Sequence, residues 1–92
     1  VKHLDIRVRG RVQGVFFRAT TQDAALELGV RGTVRNEPDG SVFIEAEGSE
    51  ERLASFLRRV RQGPPNSRVE SVDVREGEPR GHVGFEILER GA

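Results

Sequence analysis

Ninety-two residues, 35% of them hydrophobic, suffice for one small domain around one core, so residues 1–92 read as a single unit. Fifteen basic residues balance fifteen acidic ones, which makes neither nucleic acid nor a membrane surface the default partner. With no cysteine there is neither a disulfide framework nor a thiolate nucleophile, and no apolar run approaches the roughly 20 residues that span a bilayer. The N-terminus shows no signal-peptide pattern, and the simplest expectation is a soluble, cytoplasmic monomer.

Leu4, Ile6 and Val8 alternate with Asp5, Arg7 and Arg9, the pattern of a half-buried strand. A helix is predicted from about Arg18 to Leu28, with Thr21, Ala24, Ala25 and Leu28 on one face and Gly29 at its C-terminal cap. A second strand follows over 30–36, with Val30 and Val34 on one side and Arg31 and Arg35 on the other. Glu37-Pro38-Asp39-Gly40 is a turn signal, because proline presets φ and glycine takes a left-handed position. Val42, Ile44 and Ala46, alternating with Phe43, Glu45 and Glu47, complete a hairpin.

The second helix is marked more strongly. Ser49 is a suitable N-cap, Glu50 and Glu51 place negative charge in the first turn, and Leu53, Phe56, Leu57 and Val60 form one stripe. Arg58, Arg59 and Arg61 suit its C-terminal end, and Gly63-Pro64-Pro65 stops it. Val69, Val72 and Val74 mark a fourth strand; Val83, Phe85 and Ile87 mark a fifth. The order predicts an α+β, ferredoxin-like split βαβ sandwich, β-α-β-β-α-β plus a fifth C-terminal strand. Two helices would lie on one face of a mainly antiparallel sheet.

Between the first strand and first helix lies Gly10-Arg11-Val12-Gln13-Gly14-Val15-Phe16-Phe17-Arg18. A strand that breaks into a glycine-containing loop and then a helix is a natural anion cradle, since loop amides and the first helical N–H groups have no partners. Arg18 adds a planar fork of donors that matches phosphate oxygens. Two glycines also suit an ordinary connection, and that reading stays open on the pattern alone. Neither the nucleotide P-loop nor the GxGxxG spacing is present. In a βαβ unit the first and second strands run the same way, so Arg18 and Asn36 are expected at one edge of the sheet.

These residues resemble the acylphosphatase family. The stretch from Gly10 to Arg18 is similar to that family's signature loop, G-x-V-Q-G-V-x-F-R. Gly32-Thr33-Val34-Arg35-Asn36, followed by Asp39-Gly40-Ser41-Val42, resembles its second signature, G-x-V-x-N-x-x-D-G-x-V. Gly48, Phe56, Gly63-Pro64 and Phe85-Glu86-Ile87 also match in place, whereas Thr33 stands where the family often carries tryptophan. The resemblance implies hydrolysis of an acyl phosphate to a carboxylate and inorganic phosphate, with no metal, cofactor or covalent phosphoenzyme. Arg18 would bind phosphate, Asn36 would orient the attacking water, and the amides of Arg11, Val12, Gln13, Gly14, Val15, Phe16, Phe17 and Arg18 would form the cradle.

The remaining polar residues have plainer readings. His3 and His82 belong to no ligand-spaced cluster and read as surface or satisfied histidines. Glu45 and Glu47 read as a solvated strand face, and Glu50 and Glu51 as a helix start. Arg7, Arg9, Arg31 and Arg35 would line the sheet face away from the helices, while Phe16 or Phe17 packs inward and shapes the loop. An RNA-binding module of the same fold would display aromatic residues on that face, where this chain places mostly charge. The remaining rival is a non-catalytic anion-binding or regulatory domain that keeps the cradle without turnover.

Overall fold

Seven elements follow one another through residues 1–89, the part described by the computed structural model. They are β1 (Lys2–Arg11), α1 (Phe17–Leu28), β2 (Arg31–Asn36), β3 (Val42–Gly48), α2 (Glu50–Gln62), β4 (Arg68–Gly77) and β5 (Phe85–Ile87). The strands form one sheet in the order β4-β1-β3-β2-β5. β3 pairs antiparallel with both β1 and β2, so β1 and β2 share a direction and end at the same edge. β5 pairs in parallel with β2, placing Val34 opposite Ile87. No helix among the described residues is long and apolar enough to cross a membrane.

Alternation along the strands decides which face the helices cover. Ile6 and Val8 of β1, Val34 of β2, and Val42, Ile44 and Ala46 of β3 are wholly buried beneath the helices. Ala24 and Ala25 allow α1 to approach closely, and α2 contributes Leu53, Phe56 and Val60. Burying a side chain such as Phe56 contributes about 1.5–3 kcal/mol. Its ring meets Phe85 edge-on at 5.9 Å between centroids, tying the fifth strand to the same core.

The caps follow the local chemistry. Ser49 Oγ accepts a bond from the Arg52 amide at 3.2 Å, and α2 ends where the Gly63 amide donates to Arg59 O at 3.0 Å. α1 ends at Gly29, as expected, but begins at Phe17 rather than Arg18 and has no side-chain N-cap. The fifth strand is shorter than its alternation suggested. It starts at Phe85, and Val83 lies outside it and is exposed, because pairing to β2 begins only at Gly32.

One expectation is overturned. Glu45 and Glu47 do not form a solvated face: Glu47 is fully buried and Glu45 nearly so. β4 and β5 occupy opposite edges of the sheet, so the chain joining them must cross every strand between. Four interstrand steps amount to roughly 19 Å. Glu78 to Gly84 spans that distance as an extended strap over the face away from the helices. Apart from Gly84 O, which accepts from the Gly32 amide at 2.8 Å, its backbone has no strand partner among the described residues, so its amides need acceptors. Glu47 supplies them, accepting from the amides of Arg80 and His82. Glu45 accepts from the Arg80 guanidinium at 2.6 Å and meets His82 Nε2 at 3.0 Å. Glu50 and Glu51 are exposed, as expected.

Beneath the strap, the buried His3 ring meets Glu47 through Nδ1 at 2.7 Å and Asp5 through Nε2 at 2.8 Å. Burial presses this imidazole toward its neutral form, but the bonds to Asp5 and Glu47 outweigh it and raise the pKa above 6.5. For Glu47, burial acts upward, while the Arg80 amide, the His3 ring and the His82 amide together hold the carboxyl at about 2 against the usual 4.5. The signs are opposite. Glu47 stabilises the fold above pH 4.5, and that contribution disappears as pH falls through about 2. The His3 contribution is complete below 6.5 and is lost as pH rises through its raised pKa. Denaturant midpoints of the wild type should therefore fall between pH 4.5 and about 2 more steeply than those of Glu47→Gln. At neutral pH that variant should be less stable by on the order of 3 kcal/mol. Equal slopes would remove Glu47 as the acid-labile anchor.

Candidate functional site

At the edge where β1 and β2 end, the chain from Val12 to Phe16 loops between β1 and α1. The strand reaches further than expected: Arg11, placed by the sequence at the start of a cradle, still pairs with Arg68 of β4. This register requires a bulge between Arg9 and Gly10. A Cβ at Gly10 would lie 2.1 Å from the Arg68 carbonyl oxygen, so the close approach of the β4 backbone requires glycine.

Three apolar side chains hold the loop down. Val12, Val15 and Phe17 are buried, while Phe16 between the latter two is 81% exposed. Gly14 and Phe16 both adopt left-handed backbone, with φ of 73° and 63°. Glycine takes that conformation at little cost, but for phenylalanine it stores strain of about 1–3 kcal/mol. Left-handed Phe16 is followed by helical Phe17, and such a pair turns successive amides toward one side, the geometry of an anion-binding nest. Phe16 is also the N-cap of α1 and supplies no side-chain acceptor, and the first turn contains no acidic residue. α2 meets both needs internally, with Ser49 as its cap and Glu50 and Glu51 in its first turn. The amino end of α1 is thus positive and uncapped by its own side chains.

The cleft above this loop has a volume of about 320 Å³ and is lined by residues including Gly14, Phe16, Arg18, Asn36 and Ile87. Arg18 and Asn36, 18 residues apart in the chain, thus face one space, as the βαβ topology predicts. Arg18 is half-buried and tethered lightly, donating from Nη1 to Leu88 O at 3.4 Å. Asn36 closes β2, and its Oδ1 is buried with no hydrogen-bond partner among the described residues. An acceptor in that state costs about 1–3 kcal/mol unless something entering the cleft donates to it.

Of the expected cradle, Val12, Gly14, Phe16, Phe17 and Arg18 line the cleft, whereas Arg11, Gln13 and Val15 do not. Gln13 has another task. Its Nε2 donates to Glu37 O at 2.8 Å and to Ser41 O at 3.0 Å, fastening the loop to the turn that follows Asn36. That turn is itself held by Asp39. Hydrogen bonds from the Ser41 hydroxyl and amide, with Arg9 nearby, bring the Asp39 carboxyl down to about 2. Ile87 and the Leu88 carbonyl were not legible as site residues, because they reach the cleft only through the parallel pairing of β5 with β2. A larger hollow of about 580 Å³ lies on the opposite sheet face beside Arg7, Arg9 and Phe43. Its lining comes from β1, β3 and β4, and Arg7 and Arg9 are already engaged by Ser41, Glu37 and Asp39.

The family model for acylphosphatase matches residues 4–87. An acylphosphatase of Thermotoga maritima is 52% identical over 87 residues, covering 95% of this chain and 97% of that one. One from Thermus thermophilus is 51% identical over 80 residues, with coverage of 87% and 91%. The crystal structure of the Bacillus subtilis acylphosphatase superposes with a TM-score of 0.94 at 42% identity, covering 96% of this chain and 99% of that one. Sequence match and superposition both extend across the loop, the uncapped helix end and the strand bearing Asn36, and on these grounds the chain belongs to the acylphosphatase family.

Proposed function

We propose that this chain hydrolyses acyl phosphates, mixed carboxylic–phosphoric anhydrides, to a carboxylate and inorganic phosphate, as a cytoplasmic monomer whose chemistry uses no metal or cofactor. The phosphoryl group sits in the cleft against the loop amides and the amino end of α1, and the Arg18 guanidinium donates to its oxygens. Phosphoryl transfer spreads charge over the equatorial oxygens, so fixed donors aimed at them supply most of the rate enhancement. A carboxylate leaves readily and needs no strong general acid. Asn36 holds the attacking water in line; a carboxamide is no base near neutral pH, but its oxygen accepts a bond from the water. The water's proton passes to a substrate phosphate oxygen, since neither signature contains a histidine or a carboxylate facing the cleft.

The observation that carries this reading is that Asn36, whose Oδ1 is buried without a partner among the described residues, lines the same cleft as Arg18. A purely structural asparagine at the end of β2 would be satisfied within the fold. Hydrolysis of acetyl or benzoyl phosphate in the presence of a chelator tests it directly. Turnover that survives chelation is expected; phosphate binding without turnover would favour the non-catalytic anion-binding domain instead.

A further inference from the structure

Away from the cleft, on the other sheet face, five metal-ligating side chains converge from three parts of the chain. His3 and Asp5 come from β1, Glu45 and Glu47 from β3, and His82 from the strap. His3 Nε2, Asp5 Oδ1 and Glu45 Oε1 lie within 4.8 Å of one another, with His3 Nε2 at 2.8 Å from the first oxygen and 3.9 Å from the second. His82 Nε2 stands 3.0 Å from the same Glu45 oxygen. Donors held 2.0–2.2 Å from a tetrahedral zinc ion are about 3.3–3.6 Å apart, a spacing that the 2.8, 3.0 and 3.9 Å separations bracket.

We propose that this cluster binds one zinc-class divalent ion, with His3 Nε2, Asp5 and Glu45 as ligands and His82 closing the site. A second arrangement supports it independently of the spacing. Glu47, wholly buried, grips His3 Nδ1 at 2.7 Å. Metal-bound histidines commonly donate their other ring N–H to a carboxylate in this way, which fixes the tautomer and aims the free nitrogen at the ion. The ion takes the place of the proton on His3 Nε2, which leaves to solvent. It also displaces the Arg80 guanidinium from Glu45, and that side chain is more than half exposed and turns into water. Nitrogen donors argue against magnesium or calcium, which favour all-oxygen shells.

The place in the fold indicates what the ion does. It would staple the strap to β1 and β3 where the chain crosses the sheet outside the strand ladder. Its effect would be on stability rather than chemistry. The site lies at the start of β1, about 25 Å of strand from the phosphate loop and on the opposite face.

The test uses the full chain stripped with a chelator and dialysed, then titrated with zinc alone, and with cobalt(II) for its visible absorption. One zinc per chain, tetrahedral cobalt bands and a thermal midpoint raised by several degrees are expected. Glu45→Gln, nearly isosteric, should weaken zinc binding by at least about tenfold, and the partly exposed His82→Asn should weaken it in the same direction. Circular dichroism establishes that each variant is folded, so binding is read independently of acyl phosphate turnover. A wild type that takes up no zinc, or folded Glu45→Gln and His82→Asn proteins that bind it as the wild type does, would overturn the inference.

Discussion

Arg18→Ala is expected to lower turnover on the order of 10²–10³-fold or more, the loss seen when a transition-state donor is removed. Among the described residues this guanidinium makes a single long bond, 3.4 Å to Leu88 O, so little of the fold depends on it. The variant should therefore melt close to the wild type while losing activity and phosphate inhibition together. Arg18→Lys restores the charge but not the planar pair of donors, and should recover little. Steady-state kinetics with inorganic phosphate as inhibitor reads all three. A lysine variant retaining most of the rate would show that a point charge suffices and that the forked grip is wrong.

Asn36→Ala should separate differently. With the water no longer aligned, turnover should fall on the order of 10²-fold, comparable to a misplacement of about 1 Å. Phosphate affinity should hold, because the loop amides and Arg18 remain. Stability should stay level or rise, since the substitution deletes a buried oxygen that has no donor among the described residues. Few site substitutions predict lost rate with retained binding and unimpaired folding. If phosphate affinity falls in step with turnover, Asn36 belongs to the anion grip and not to the water.

The strap shows why binary patterning misleads on this sheet. Glu45 and Glu47 fall on the polar half of β3, and alternation assigns them correctly to the face away from the helices. What covers that face depends on the sheet order, which sends the β4–β5 connection across every strand between. The same crossing stacks His3 and His82, at opposite ends of the chain, with ring centroids 6.1 Å apart. Gln13 gives a smaller instance. Its place in the loop was legible, but its anchoring of the turn after Asn36 required coordinates.

Features that depend on a few neighbouring residues were readable from the amino-acid order alone. They include the hairpin over Pro38 and Gly40, the α2 cap at Ser49, the apolar stripe of Leu53, Phe56 and Val60, and the glycine loop that runs into Arg18. The meeting of Arg18 with Asn36 was also within reach, because strands joined by a helix point the same way. Tertiary structure alone decided that Glu47 is buried, that His3 is enclosed by carboxylates and that Ile87 lines the cleft. Turns, caps and periodicity arise from forces acting within a few residues, whereas the surroundings of an outward-facing side chain are set by whichever distant segment comes to rest on it.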